Sequence, residues 1–213
     1  MVEGAGAVFA ENQALTWLAS LANFPSAAGG VFMQGGTVGN LSALVAARHK
    51  ARKQFPQVKR WVIVATELAH SSIQSAAEIM DVELIKVNNA DEISKNLTML
   101  AEITEKKVFA IVATAGSTNL GIIDDLKVIG AIANEHQIWF HVDGAYGLAG
   151  LCAPSVRPLF NGIERADSLI VDPHKWLFAP FDACALIYRE PHLAKKVHLQ
   201  HAEDRKSTRL NSS

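Results

Sequence analysis

The stretch Val108-Phe-Ala-Ile-Val-Ala-Thr114 decides the fold class, because it is a run of apolar residues that ends on a threonine. A strand with one face in water alternates apolar and polar residues, whereas a parallel strand covered on both faces is apolar throughout. The run therefore predicts a central strand of a parallel sheet that has helices on both faces.

Similar runs lie on both sides of this stretch. They are Trp61–Ala65, Glu83–Val87, Ile138–Val142, Ser168–Val171 and Ala185–Tyr188. Helix-length segments separate them or precede them, at Ala7–Leu21, Leu41–Gln54, Ser71–Met80, Asp91–Thr104 and Leu126–His136. Strands that alternate with helices at this spacing predict an α/β domain with a mostly parallel sheet. We expect Asp91 to cap its helix, and Asp124 and Asp125 place acidic groups where the next helix begins.

Composition narrows the function classes. The chain has 213 residues, a formal net charge of -1 and 49% hydrophobic residues, which fits one compact domain and argues against nucleic-acid binding. It has no apolar run long enough to span a membrane, and its first residues lack the basic start of a signal peptide. Two cysteines outside any C-x-x-C pair predict neither a disulfide scaffold nor a zinc site, and favour a cytoplasmic location. Residues 1–203 are predicted to form the domain, and the polar run 204–213 a non-native or disordered tail.

Polar and small residues follow the predicted strands. In open α/β sheets ligands bind beyond the carboxyl ends of the strands, so these residues should share one edge. They are His70, Gly116-Ser117-Thr118, Asp143 and His174-Lys175, together with Gly35-Gly36-Thr37 before the first helix of the sheet. The sequence therefore predicts one ligand site at this edge.

Each residue type suggests a chemistry and also has a structural explanation. A glycine-rich turn that opens a helix attracts an anion, although it is equally an ordinary turn. Asp143 can hold a ring nitrogen protonated or cap the next turn. Lys175, after a buried strand and a rigid proline, can act as an amine nucleophile or extend to solvent from the domain edge. His70 can stack on an aromatic ring or serve as a structural hydrogen-bonding group.

An amine nucleophile, an acid for a pyridine nitrogen and an anion site together describe a site for pyridoxal 5'-phosphate (PLP). From about Gly29 to Glu190 the chain resembles the group II PLP-dependent amino-acid decarboxylases, which include the aromatic-amino-acid and glutamate decarboxylases. The matching pieces are GGVFMQGGTVGNLSALVAARHKAR, LAHSSIQSA, VATAGSTNLGIIDDL, WFHVDGAYG and ADSLIVDPHKWL. The resemblance implies the large domain of a fold type I PLP enzyme.

The resemblance also implies roles for single residues. Lys175 would attach PLP covalently, Asp143 would pair with its pyridine nitrogen, and His70 and Ala145 would lie against the two faces of its ring. Gly36, Thr37 and His174 would reach the phosphate, and Thr118 would sit beside the ring and support Asp143 or the PLP oxygen. Asp172 stands where many relatives have asparagine, and since an ionised carboxylate repels phosphate, we expect it to face a backbone N–H or a cation.

The implied activity is decarboxylation of an L-amino acid by a homodimer with its active site at the subunit interface. In this family the catalytic acid comes from a loop C-terminal to the lysine, so the chain is interpreted as a large-domain fragment that is inactive alone. Two alternatives stay open at this point. One is another fold type I PLP enzyme, either an aminotransferase or a cysteine desulfurase that would need Cys152 or Cys184. The other is a non-catalytic relic of the fold.

Overall fold

The computed structural model of the chain describes residues 4–198. In these residues, seven strands form one sheet and six α-helices surround it. The strands are β1 (Gly29–Met33), β2 (Arg60–Thr66), β3 (Glu83–Val87), β4 (Lys106–Thr114), β5 (Trp139–Asp143), β6 (Ser168–Val171) and β7 (Cys184–Tyr188). The helices are α1 (Ala5–Leu21), α2 (Gly36–Gln54), α3 (Ser71–Ile79), α4 (Ala90–Ala101), α5 (Leu126–Glu135) and α6 (Pro191–His198).

The sheet is mostly parallel, as predicted. Its strand order is β1-β7-β6-β5-β4-β2-β3. The five strands β2 to β6 pair in parallel with their neighbours in the sheet, whereas β7 is antiparallel to both β6 and β1. All six predicted runs form strands, and β1 adds a seventh at one edge of the sheet. The carboxyl ends of β2, β4, β5 and β6 consequently meet at one edge.

Both faces of the sheet are covered, which explains the uninterrupted apolar run in β4. Ile111 and Ala113 pack with residues of α1, α4 and α5 on one face. Ala110 and Val112 pack with residues of α2 and α3 on the other. Each of these four side chains is fully buried. We refer below to the second face as the α2 face.

The ends of the helices correct some of the predictions. The cap of α4 is Asn89, whose side chain accepts a hydrogen bond from the amide of Glu92 at 3.1 Å, so the assignment of that role to Asp91 was wrong. Asp91 lies inside the first turn, where the helix dipole still favours its charge. Asp125 caps α5 by accepting from the amide of Val128 at 3.0 Å, in line with the acidic start predicted for that helix.

The glycine-rich turn joins β1 to α2 directly, so that α2 begins at Gly36 rather than at Leu41. Gly35 has a φ of 84°, a backbone conformation that glycine adopts without steric cost. The turn residues themselves therefore supply the first turn of α2.

Among the described residues, no helix combines the length and the apolar character that crossing a bilayer would require. The predicted tail 204–213 lies outside the described residues, as does the end of the proposed domain 1–203.

Candidate functional site

A cleft lies at the carboxyl edge of the sheet, over the ends of β2, β4, β5 and β6 and the start of α2. Seven of the eight predicted site residues line it: Gly36, Thr37, His70, Thr118, Asp143, Ala145 and Lys175. The lining also includes Asn40, Leu68, Ser72, Thr114, Gly116, Ser117, Tyr146 and Asp172. The structure thus brings together residues that lie up to 139 positions apart in the chain (175 minus 36).

Lys175 reaches the cleft through the turn that follows β6. Its Nζ lies 2.8 Å from Oδ2 of Asp172, which confirms the prediction that this aspartate faces a cation. The side chain of Asp172 is only 2% exposed, and its other oxygen, Oδ1, is buried with no hydrogen-bond partner. The lysine side chain is 38% exposed and lines the cleft.

Asp143 ends β5 and is buried at the floor of the cleft. Its Oδ2 accepts a hydrogen bond from Nδ2 of Asn40 at 2.8 Å, and its Oδ1 accepts from the amide of Ala145 at 3.2 Å. The second bond is the turn-capping role considered above, and the first ties the carboxylate to α2. Thr118 lines the cleft, whereas the groups that bond to the Asp143 carboxylate are Asn40 and Ala145.

A buried polar chain on the α2 face lies behind Asp143, and the sequence analysis missed it. Nε2 of His141 lies 2.8 Å from Oδ1 of Asn40, and its Nδ1 lies 2.8 Å from Oγ of Ser168. Trp139 Nε1 donates to the same Oγ at 2.8 Å. Burial lowers the pKa of His141 to about 4, although the nearby charge of Asp143 acts in the opposite direction. The available signal was an asparagine in the apolar stripe of α2, next to the buried Ala43 and Leu44.

His70 has the structural role considered for it, and its stacking role stays a prediction. Its Nδ1 accepts from the amide of Ser72 at 3.2 Å and caps α3, so one nitrogen of the ring has a structural partner. The residue is nevertheless exposed and lines the mouth of the cleft, where its ring is accessible to a bound group.

The start of α2 has the features of an anion site. No side chain caps this helix, so its first amides are open to a ligand. A Cβ on Gly36 would lie 3.2–3.4 Å from atoms of Ile170, Asp172 and Ala145, so glycine keeps this approach clear.

His174 lies outside the residues that line the cleft. Its Nδ1 lies 2.8 Å from the carbonyl oxygen and 3.1 Å from the amide nitrogen of Ala183, and its ring meets Phe181 edge-on. The phosphate contact implied for His174 by the resemblance therefore stays a prediction.

The chemistry of these side chains fits PLP. The amine of Lys175 matches an aldehyde, the buried Asp143 carboxylate matches a protonated pyridine nitrogen, and the uncapped start of α2 matches a phosphate. Two carboxylates lie near the phosphate position. The ion pair with Lys175 offsets the charge of Asp172, and Asp182, whose oxygens lie 3.8–3.9 Å from where a Cβ on Gly35 would be, has His174 Nδ1 at 3.7 Å.

Comparisons with known proteins agree with this chemistry. The family model described as "Pyridoxal-dependent decarboxylase conserved domain" matches residues 6–204. The chain is 33% identical to an aromatic-L-amino-acid decarboxylase of Bacillus atrophaeus, over 91% of this chain and 42% of that protein. It is 28% identical to a 4-hydroxyphenylacetaldehyde synthase of Rhodiola rosea, over 85% of this chain and 41% of that protein.

Solved structures agree as well. The crystal structure of mouse CSAD is similar with a TM-score of 0.82 and 30% identity, over 91% of this chain and 44% of that one. The chain thus spans about two fifths of the length of the curated relatives that it matches.

Proposed function

Because the chain belongs to the pyridoxal-dependent decarboxylase family, we propose that its cleft binds PLP and that the enzyme removes the carboxylate of an L-amino acid as carbon dioxide, leaving the amine. One observation carries the proposal. Asp143 ends β5 and Lys175 follows the neighbouring strand β6, and both line the same cleft with the uncapped start of α2 beside them.

Lys175 and Asp143 would have different roles toward the cofactor. When bound, PLP supplies an electron-accepting ring that takes up the electron pair left as carbon dioxide departs. Lys175 would hold PLP through its amine and yield this position to the substrate amine. Asp143 would keep the pyridine nitrogen protonated, because a buried negative charge favours the cationic ring.

Other cleft residues would orient the group. The amides of Gly36 and Thr37 would bind the phosphate at the start of α2. His70 at the mouth and Ala145 at the floor would confine the ring from its two faces, and Thr118 would lie beside it. The same arrangement would exclude water from the ring face against Ala145.

Return of a proton to the substrate Cα needs a positioned acid, and such groups contribute about 10²–10⁴-fold to rates. Among the described side chains after Lys175, Tyr188 could serve, but it is 4% exposed and lies within β7. His192 lies on α6 and pairs with Glu190. We therefore propose that the 213-residue polypeptide binds PLP without turning over an amino acid at a useful rate when it is assayed alone.

The cleft is also proposed to lie at a homodimer interface. Trp176, Phe178 and Phe181 follow the lysine and are 50%, 88% and 83% exposed. Exposed aromatic side chains in one short segment are typical of a surface that a partner covers. A second copy of the chain is the partner proposed here, in a cytoplasmic enzyme.

The cysteine desulfurase alternative finds little support in the structure. Cys184 is fully buried, and burial together with the charge of Asp172 raises the pKa of its thiol, so that little thiolate forms. Cys152 is exposed but lies in the short 3-10 helix Gly147–Cys152 rather than in a long loop.

The test is an assay with PLP and a panel of aromatic, acidic and basic L-amino acids that measures carbon dioxide, amine and aldehyde. Aldehyde is included because one relative is an aldehyde synthase by name. In a preparation that turns over, amine and carbon dioxide in equal amounts are expected. Transfer of the amino group to a keto acid without carbon dioxide would instead identify an aminotransferase. Multiple turnovers by the 213-residue polypeptide alone would contradict the proposal that it does not turn over an amino acid when assayed alone.

A further inference from the structure

The buried polar chain continues behind the cleft in the order Trp139–Ser168–His141–Asn40–Asp143. The proposed function gives a role to Asp143 but none to the other four residues. We infer that its hydrogen bonds have one direction, that they keep His141 neutral, and that Asn40 is a positioning residue which leaves the negative charge on Asp143. The part of this inference that concerns the cofactor rests on the proposed function.

The direction follows from the groups at the two ends. An ionised carboxylate can only accept, so the Asn40 atom 2.8 Å from Asp143 Oδ2 must be the amide nitrogen. The oxygen of the same amide then faces His141 Nε2 at 2.8 Å, and this nitrogen must carry the proton.

The Trp139 end of the buried polar chain agrees with this direction. The indole N–H of Trp139 can only donate, and it occupies one acceptor position of Ser168 Oγ. The hydroxyl proton of Ser168 is then available for Nδ1 of His141, 2.8 Å away. Every donor in the buried polar chain meets an acceptor when His141 is neutral and carries its proton on Nε2.

The surroundings of His141 also favour the neutral form. Its neighbours across the sheet are Val112 on β4 and Ser168 on β6, and its partner on α2 is the uncharged Asn40. The charged group that acts on the ring is Asp143, two residues along the same strand, and full burial outweighs its attraction. A cationic His141 would cancel much of the negative charge that Asp143 presents to the cleft, and a neutral one leaves it intact.

Asn40 also fixes where that charge lies. Its amide nitrogen holds Oδ2 of Asp143 and also donates to Ser72 Oγ at 2.9 Å, while Ala145 holds Oδ1. Both carboxylate oxygens are thus held by uncharged donors.

The first experiment needs no cofactor. The chain is produced with ¹⁵N-labelled histidine, and the His141 signals are assigned by their absence in His141→Gln. We expect Nε2 protonated and Nδ1 unprotonated from pH 5.5 to 8. A proton on Nδ1, or a doubly protonated ring at pH 6.5, would overturn the inference.

Substitution of Asn40 sharpens this test. Asn40→Asp places a second carboxylate beside Nε2, and we expect His141 to become protonated at neutral pH. Asn134→Asp, on the exposed side of α5, makes the same chemical change far from the buried polar chain and should leave the His141 signals unchanged. Should Asn40→Asp fail to fold, Ser168→Ala removes the donor to Nδ1 and should shift the Nδ1 resonance. An unchanged resonance would contradict the inferred hydrogen bond from Ser168 to Nδ1 of His141.

The second experiment measures the cofactor. Asn40→Ala should weaken PLP binding about tenfold and shift the resonance of a ¹⁵N-labelled pyridine nitrogen, because the carboxylate loses one charge-assisted bond. Asn134→Ala should change neither. If the wild-type chain takes up no PLP, the proposed function fails, whereas the state of His141 is still decided by the first experiment. Unchanged affinity and resonance in Asn40→Ala would refute the positioning role.

Discussion

The cleft contains two buried aspartates at the ends of neighbouring strands, and their partners differ. Asp143 is 6% exposed and is held by two uncharged donors, the Asn40 amide and the Ala145 backbone. Asp172 is 2% exposed and is held by a cation, with Lys175 Nζ at 2.8 Å and one oxygen without a hydrogen-bond partner. Residue type alone would have predicted the same behaviour for both.

The difference sets the charge of the two sides of the cleft. On the β5 side the carboxylate remains a net negative charge, which suits a cationic ring nitrogen. On the β6 side the cation of Lys175 offsets the charge of Asp172, which favours an anion at the start of α2, although Asp182 beside Gly35 is a further carboxylate there. Under the proposed function, two identical side chains would thus serve opposite purposes, because one has neutral partners and the other a charged one.

The largest effect is expected at Lys175, which belongs to the β6 side. Lys175→Ala and Lys175→Arg should both lose all PLP that borohydride fixes to the protein, because neither side chain forms the covalent bond. Arginine keeps a permanent cation beside Asp172, whereas alanine leaves His174 Nε2, 4.0 Å from Oδ2, as the remaining ion-pair partner, so Lys175→Ala should be the less stable of the two. Peptide mapping after reduction checks the site, and label on Lys50 or Lys86 in the wild type would disprove the assignment.

Asp143→Asn tests the β5 side. Asparagine keeps the size of the side chain and removes the charge, so PLP binding should largely survive. In a preparation with measurable turnover, kcat should fall by at least about 10²-fold, since one preorganised charge contact is commonly worth a few kcal/mol. Asp125→Asn, at the exposed cap of α5, is the matched control, and equal turnover of the two variants would contradict the role of Asp143.

The neutral histidine beside Asp143 should appear in the pH dependence of stability. Its pKa is about 4 in the folded chain, against 6.5 for an unperturbed histidine, so the unfolded chain binds more protons between these values. The contribution of His141 to the free energy of unfolding is therefore fully present above pH 6.5. It falls by about 3 kcal/mol as the pH falls towards 4. Denaturation curves from pH 4.5 to 7 should show a weaker pH dependence in His141→Gln. The half-buried Asp124 and Asp167 have pKa values raised by desolvation and act with the opposite sign, and their contribution is common to both proteins.

The sequence predicted the strands and the edge residues because both depend on local patterns. An apolar run such as that of β4 needs two covered faces, and parallel strands place their carboxyl ends together whatever the loops do. The partners of these residues were not predictable in the same way. The contact between His141 and Ser168 depends on the register of β5 with β6, and that of Asn40 on the rotation of α2 over the sheet. The pairing of β1 with β7 joins segments about 150 residues apart, for which a local pattern contains no information.

The smallest effect is expected for Asp172→Asn, and it tests the comparison most directly. Asparagine can still accept a hydrogen bond from Lys175, so the turn should keep its geometry, while one negative charge disappears beside the start of α2. A Cβ on Gly36 would lie 3.3 Å from Oδ2 of Asp172, so this carboxylate borders the proposed phosphate position. Removing the charge should tighten PLP binding by about 1 kcal/mol, or roughly fivefold, at neutral pH. Equilibrium titration with PLP measures the change, with inorganic phosphate as a competitor that reports on the anion site alone and Asp125→Asn as the control. If Asp172→Asn instead binds PLP and phosphate more weakly, the aspartate acts chiefly by holding Lys175 in place. The β6 side would then depend on its ion pair for orientation rather than for neutrality.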